Sequence, residues 1–194
     1  MSQVAIIGNA SGTGVFTVAS PNSNVDRVLT LPDETGTVDT LQRSGNVIQV
    51  VNFQTGALAT GTTIIPLDDT IPQITEGNEY MTLAITPTNA SNILIIDVVF
   101  IGAVSSLDAI IAAVFQDSVA NALASLAFIV PATNYYHAAS FKHKMVAGTT
   151  SPTTMRVRIG PATGGSTFTF NGIVGTRRFG GSYASSITIT EYTP

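Results

Sequence analysis

From residue 78 to the carboxyl terminus the chain repeats one pattern eight times: a strand-length apolar run, then turn-forming residues. The runs cover residues 80–86, 93–102, 109–116, 124–130, 137–145, 153–159, 167–171 and 186–191. Several alternate apolar with polar positions, which sends successive side chains to opposite faces and marks a sheet with one wet face. Met81, Leu83 and Ile85 share a face, as do Phe141, His143 and Met145, then Met155, Val157 and Ile159, and Ile187 with Ile189. Phe168 and Phe170 lead into Asn171-Gly172, a dipeptide that tolerates the positive φ of a two-residue hairpin. Short antiparallel strands at this density predict an all-β fold, a jelly-roll-like β-sandwich.

One stretch carries a competing signal. Leu107, Ile110, Ile111, Val114, Phe115, Val119, Ala122 and Leu126 fall on a helical stripe in an Ala-rich context. Asp117-Ser118 and Asn121 interrupt that stripe where a turn between strands belongs, and the flanking runs have strand length. Two strands are therefore expected across 107–126.

Residues 1–70 have a different texture. Gly12-Thr13-Gly14, Pro21-Asn22-Ser23-Asn24, Pro32-Asp33-Glu34-Thr35-Gly36, Gly56 and Gly61 leave room only for brief strands, the best at 15–19, 27–31 and 47–53. Together these bury too little apolar surface to offset the entropy of ordering a free-standing domain. The region is expected to fold as an extended, turn-rich arm only with partners; the bland alternative is a flexible arm. The predicted organisation is a region 1–70 followed by a sandwich 71–194.

Composition bears on how such a surface stays soluble. Of the 194 residues 44% are hydrophobic and 10% charged, against about 25% charged in an ordinary soluble domain. Self-association is the usual way to cover what remains. The net charge of −4 is unevenly spread: residues 1–117 hold 11 acids and 2 bases, −9, and residues 118–194 hold one acid and 6 bases, +5. A low net charge of this kind argues against general nucleic-acid binding. The longest apolar run, 93–104, contains Asp97 and falls short of the roughly 20 residues a bilayer-spanning helix needs, so no membrane insertion is expected. The amino terminus lacks a basic, signal-like start, which points to synthesis in a cytosol. With no Cys, disulfides and thiolate metal sites are excluded. The sequons at Asn9 and Asn89 are read as chance matches.

Two groups of residues resemble a known family. Gly12-Thr13-Gly14-Val15-Phe16-Thr17-Val18, followed by Arg27-Val28-Leu29-Thr30-Leu31-Pro32-Asp33-Glu34-Thr35-Gly36-Thr37-Val38, resembles a segment recurrent in tail fibres and related appendages of tailed bacteriophages, where a T-L-P-D-x-T-G-T phrase follows a short strand. Gly77-Asn78-Glu79-Tyr80-Met81, Ala112-Ala113-Val114-Phe115-Gln116-Asp117-Ser118, Arg156-Val157-Arg158-Ile159-Gly160-Pro161 and Phe179-Gly180-Gly181 are similar to the terminal knob of such fibres. The resemblance implies a homotrimer made in the host cytoplasm and carried on the virion. Its amino-terminal region would join the chains and contact other virion proteins, and its sandwich knob would meet a host surface glycan. The chain is short for a complete fibre and lacks a shaft repeat. A capsid decoration or head-fibre protein with a purely architectural role is the alternative.

No cofactor, metal or catalytic site is expected. His137 and His143 are the only histidines and have no matching ligand cluster. Asp68-Asp69 and Glu76 with Glu79 lack the aromatic subsites of a glycosidase and read as a solvated connection. No G-x-S-x-G elbow accompanies a Ser, His and Asp set. The sharper signal is cationic. Lys142 and Lys144 alternate with the apolar face of one strand, and Arg156 and Arg158 do so on the next. If those strands pair, four cations share one outer face and need anions opposite: acids of a neighbouring subunit, or an anionic surface polysaccharide held by the planar guanidinium forks. Arg177 and Arg178, in a Gly-rich turn near Phe179 and Tyr183, pose the same choice. Tyr135 and Tyr136 can stack on sugar rings or cap the sandwich.

Overall fold

A computed structural model describes residues 44–194, together with Ser11, Thr13, Asn24 and Asp26. The chain divides into two compact units, Met1–Val38 and Asp39–Pro194, and every strand below belongs to the second. The strands expected at 15–19 and 27–31 lie outside the described residues.

The long strands form two antiparallel sheets. In the first, β1 (Val47–Thr55), β12 (Ser185–Tyr192), β4 (Ile93–Val104) and β7 (His137–Val146) lie in that order. Short strands β9 (Phe168–Phe170) and β2 (Ala59–Gly61) continue the sheet beside the end of β4. In the second, the order is β3 (Asn78–Ile85), β8 (Thr153–Pro161), β5 (Ala109–Gln116) and β6 (Ala124–Ile129). Pairing is nested: β1 with β12, β3 with β8, β4 with β7 and β5 with β6. One long hairpin rolled over a core produces that nesting, which is the jelly roll anticipated from the strand pattern. All eight anticipated strands are present.

Alternation builds the core. Leu94, Ile96, Val98 and Phe100 of β4 and Ile187 and Ile189 of β12 meet Met81 and Ile85 of β3, Met155, Val157 and Ile159 of β8, and Ile110, Ala112 and Val114 of β5. Residues 107–126 form β5 and β6, joined through a turn at Asp117 (φ 52°). The Asp117 carboxylate there accepts from Thr153 Oγ1 (2.9 Å) and the Thr154 amide (2.7 Å).

The boundary expected at residue 70 falls inside this unit, because β1 and β2 are strands of the first sheet. Asp68, Asp69 and Glu76, expected in a solvated connection, belong to residues 62–77, which cross the outer face of the second sheet. Ile65 is fully buried there with Ala109, Ile111, Ala113 and Phe115. The crossing is held by Ile65 N to Pro161 O (3.0 Å) and Ile74 N to Ala120 O (2.8 Å).

The hairpin expected at Asn171-Gly172 closes elsewhere. Asn171 does take a positive φ of 54°, but it turns the chain out of β9 into a ribbon of β10 (Gly172–Ile173) and β11 (Thr176–Arg177). The tight turn is Val174-Gly175, at φ 50° and 64°. Asn171 is fixed instead by burial. Its amide donates to Thr55 O (2.7 Å) and Ala57 O (3.1 Å) and accepts from Ser185 Oγ (2.6 Å).

Candidate functional site

The register of β4 orients the unit. At one end Ile93 faces Tyr192 and Val146, and Gly45 N bonds Thr193 O, so the described chain enters β1 here. At the other end Gly102 faces both His137 and Phe170. Nine residues of extended chain separate the two ends, about 30 Å. The loops leading into β7 and β12 therefore meet at the end away from chain entry.

Those loops gather part of the expected residues. Arg178 donates its Nε to the Tyr136 hydroxyl at 2.7 Å. The Tyr136 ring stands edge-on to Tyr183, centroids 5.7 Å apart at 83°, and Phe179 lies 5.8 Å from Tyr183. Phe179 is 75% exposed and Tyr135, one residue before Tyr136, 49%. Burial first, and the neighbouring Tyr136 second, push the Tyr183 phenol up, so it stays neutral.

Sequence explains how this surface is held. Phe179, Gly180 and Gly181 all have positive φ (50°, 63° and 97°). Two glycines allow this at little cost, while an aromatic residue in that region is sparsely populated backbone of the kind that marks functional loops. The Gly181 carbonyl rests on Gly56, where an added Cβ would lie 2.0 Å from it. The Asn171–Ser185 network secures the same end of β1. An exposed Phe held at positive φ before a Gly-Gly turn makes a surface with aromatic faces, a fixed phenol and a guanidinium whose terminal nitrogens hydrogen-bond none of the described residues.

The other expected residues do not join it. Lys142 and Lys144 are on β7 in the first sheet and Arg156 and Arg158 on β8 in the second, because residues 147–152 carry the chain from one sheet to the other. The single four-cation face expected from pairing of these strands is therefore absent. Lys142 bonds Asp97 at 2.7 Å, which raises its pKa, and Lys144 is exposed on the same face. Arg156 binds Glu79 (3.2 Å) and Asp117 O (2.8 Å). Arg158 donates to the carbonyls of Glu76 and Gly77 at 2.8 Å each. The one carboxylate that answers both arginines, Glu79, comes from the same chain, and Arg158 pins the end of the 62–77 crossing to β8. Arg177 is exposed in β11, its guanidinium beside Gly181.

The remaining candidates are structural in their contacts. His143 faces inward opposite Ile96, and His137 stacks on Phe128 with centroids 3.6 Å apart, where burial lowers its pKa. Asp68 caps its own turn through the Thr70 amide at 2.8 Å. Among the described residues no three His, Asp or Glu side chains converge as metal ligands would. A hollow of about 520 Å³ lined by Leu67, Leu107, Ile129 and Val130 has one carboxylate, Asp108. That group is already engaged by Ala109 N and Thr163.

In the sequence Phe179 stands out in the knob-like Phe179-Gly180-Gly181 motif and beside Arg177 and Arg178, and Tyr183 only as a neighbour of that turn. Nothing local to Tyr136 signals that it meets Arg178, 42 residues away. A solitary Phe ahead of Gly-Gly in a basic turn was the available clue.

No protein-family model and no curated protein matches the sequence. Solved structures with a similar chain path include a tumour necrosis factor, Eiger, from S. frugiperda (9% identity, TM-score 0.40, 73% of this chain and 92% of that one). Another is the carboxyl-terminal domain of EclA, a sugar-binding protein (14%, TM-score 0.33, 71% and 80%). A third is the enzymatically active domain of tailspike protein 4 of bacteriophage CBA120 (15%, TM-score 0.27, 67% and 20%).

Proposed function

We propose that this chain is a non-enzymatic structural protein of a tailed-phage virion, a short homotrimeric fibre whose jelly-roll knob attaches the particle to a host surface glycan. The observation that carries attachment is the placement of Tyr136, Arg178, Phe179 and Tyr183 at the end of the sandwich away from chain entry. A fibre anchored through its amino-terminal region offers that end to whatever lies ahead of the particle.

The chemistry of the cluster suits a saccharide. Aromatic faces take the C–H side of a sugar ring, and exposed rings of this kind are costly to leave uncovered. Arg178 gives only Nε to Tyr136, so its terminal nitrogens stand ready for hydroxyl or carboxylate oxygens, and Arg177 adds a second cation suited to acidic sugars. Each contact is weak, and three copies per fibre with many fibres per particle multiply it. The T-L-P-D-x-T-G-T phrase supports the virion assignment, with residues ahead of β1 joining the chains and docking on other virion proteins.

The test is adsorption of purified full-length protein to bacterial cells and to their extracted surface glycans. Phe179→Ala and Arg178→Gln each lower binding at least tenfold with the native mass unchanged. Binding untouched by both changes removes the cluster from the function. Failure to bind any surface together with tight binding to empty capsids assigns the chain to the architectural alternative.

A further inference from the structure

The outer face of the first sheet has no cover among the described residues. Register places its outward side chains in rows across the strands. Val50, Thr190, Ile95 and Lys144 form one; Asn52, Thr188, Asp97 and Lys142 the next; Gln54, Ser186, Val99 and Ser140 a third. Ile93 with Val146 and Ile101 with Ala138 extend the face at either end. Outward positions of β4 are thus apolar except Asp97, a pattern that belongs to a strand buried on both sides. Val50 is 56% exposed and Val146 55%.

The second sheet makes the contrast. There the chain covers its own outer face with residues 62–77 and buries Ile65 and Phe115 completely. The first sheet has the apolar outward residues that invite such a cover and receives none from residues 44–194.

We infer that a second copy of this chain covers the outer face of the first sheet. This rests on the trimeric reading above and names the surface that reading needs. Charge permits it: the one acid on the face, Asp97, is already neutralised within the sheet by Lys142 at 2.7 Å, and Lys144 stands near the β7 edge, where its ammonium reaches water past a partner. Hydroxyls of Ser186, Thr188 and Thr190 ask for no charged complement, so a surface of the chain's own composition fits. The strand and row spacings give a face of roughly 20 by 30 Å, about 600 Å², comparable with the ~800 Å² per partner of a standard interface. A three-fold ring joins two different patches of each copy. The rim of Leu67, Leu107 and Ile129, each more than half exposed, supplies an apolar surface on another side of the same unit.

Because the chain has no Cys, single-cysteine variants of the full chain report cover directly. Ser140→Cys, outward on β7, reacts with a maleimide at least tenfold more slowly than Val119→Cys, whose site lies in the β5–β6 turn and is 52% exposed. Equal rates overturn the inference. Separately, Ile95→Lys with Val99→Lys converts the assembly to a species of chain mass with its β spectrum intact, while Val119→Lys leaves the mass unchanged. A folded double variant that keeps the wild-type mass also overturns the inference and leaves the trimer standing on another surface. A wild-type chain that is itself monomeric sinks the trimeric reading instead.

Discussion

Glu191 shows how a charge-poor chain uses one of its few carboxylates. It is fully buried near the end of β12 and accepts hydrogen bonds from Gln49 Nε2 (2.5 Å), Asn92 Nδ2 (2.6 Å), and the Thr88 amide and hydroxyl (2.8 and 2.9 Å). Burial works to raise its pKa, but the bonds from Gln49, Asn92 and Thr88 outweigh it and hold the group below the ordinary glutamate range. Because the folded pKa is depressed, the stabilisation is complete above the ordinary value, about 4.3, and is lost as pH falls through the folded one. Glu191→Gln turns an acceptor into a mixed group facing amide donors, and is expected to cost about 2 kcal/mol. Urea unfolding at neutral pH checks the cost, and the variant loses less stability than wild type on acidification. A variant as stable as wild type, with the same acid sensitivity, contradicts the assignment. Nothing in the sequence marked this residue, since its partners come from two distant segments, Gln49 on β1 and the Thr88–Asn92 loop.

At the scale of elements, the 62–77 crossing is the part of the fold that departs furthest from expectation. Ile65→Ala is expected to cost 2–5 kcal/mol, the range for a fully buried aliphatic side chain, measured by urea or thermal unfolding. A loss under about 0.5 kcal/mol, as at an exposed site, would mean that the segment is an appendage. The same contact explains which elements were legible. Strands β3, β7, β8 and β12 set apolar core-facing side chains against mostly polar outward ones, so their alternation survives in the sequence. Strand β5 is buried on both faces, between the core and Ile65, so Ala109–Gln116 reads as a continuous apolar run that a helical stripe fits equally well. The interruptions at Asp117-Ser118 and Asn121 and the strand length of the flanking runs separate the two readings. The crossing itself was hidden because Pro66, Asp68, Asp69 and Pro72 carry strong turn signals, while its few apolar residues find partners far along the chain. Lys142, Lys144, Arg156 and Arg158 alternate with inward apolar residues, but they share no face, because the β7–β8 connection passes from one sheet to the other, whereas β5 and β6 pair directly.

At the scale of the whole molecule, three surfaces divide the work. One sheet is covered by the chain itself, the other exposes Ile93, Ile95, Val99 and Ile101 on the face proposed to meet a second copy, and the end away from chain entry carries Tyr136, Arg178, Phe179 and Tyr183. This division suits a chain that is only 10% charged and that hydrogen-bonds its buried carboxylate, Glu191. In the proposed assembly the two interaction surfaces are separate, so that a trimer would leave the aromatic loops free and bring three copies of them together. Association is the premise common to all of it. The native mass of the full chain in solution, measured by light scattering at micromolar concentration, tests it most directly: three times the 20.1 kDa of one chain is the predicted result, and a stable species of 20.1 kDa would contradict it.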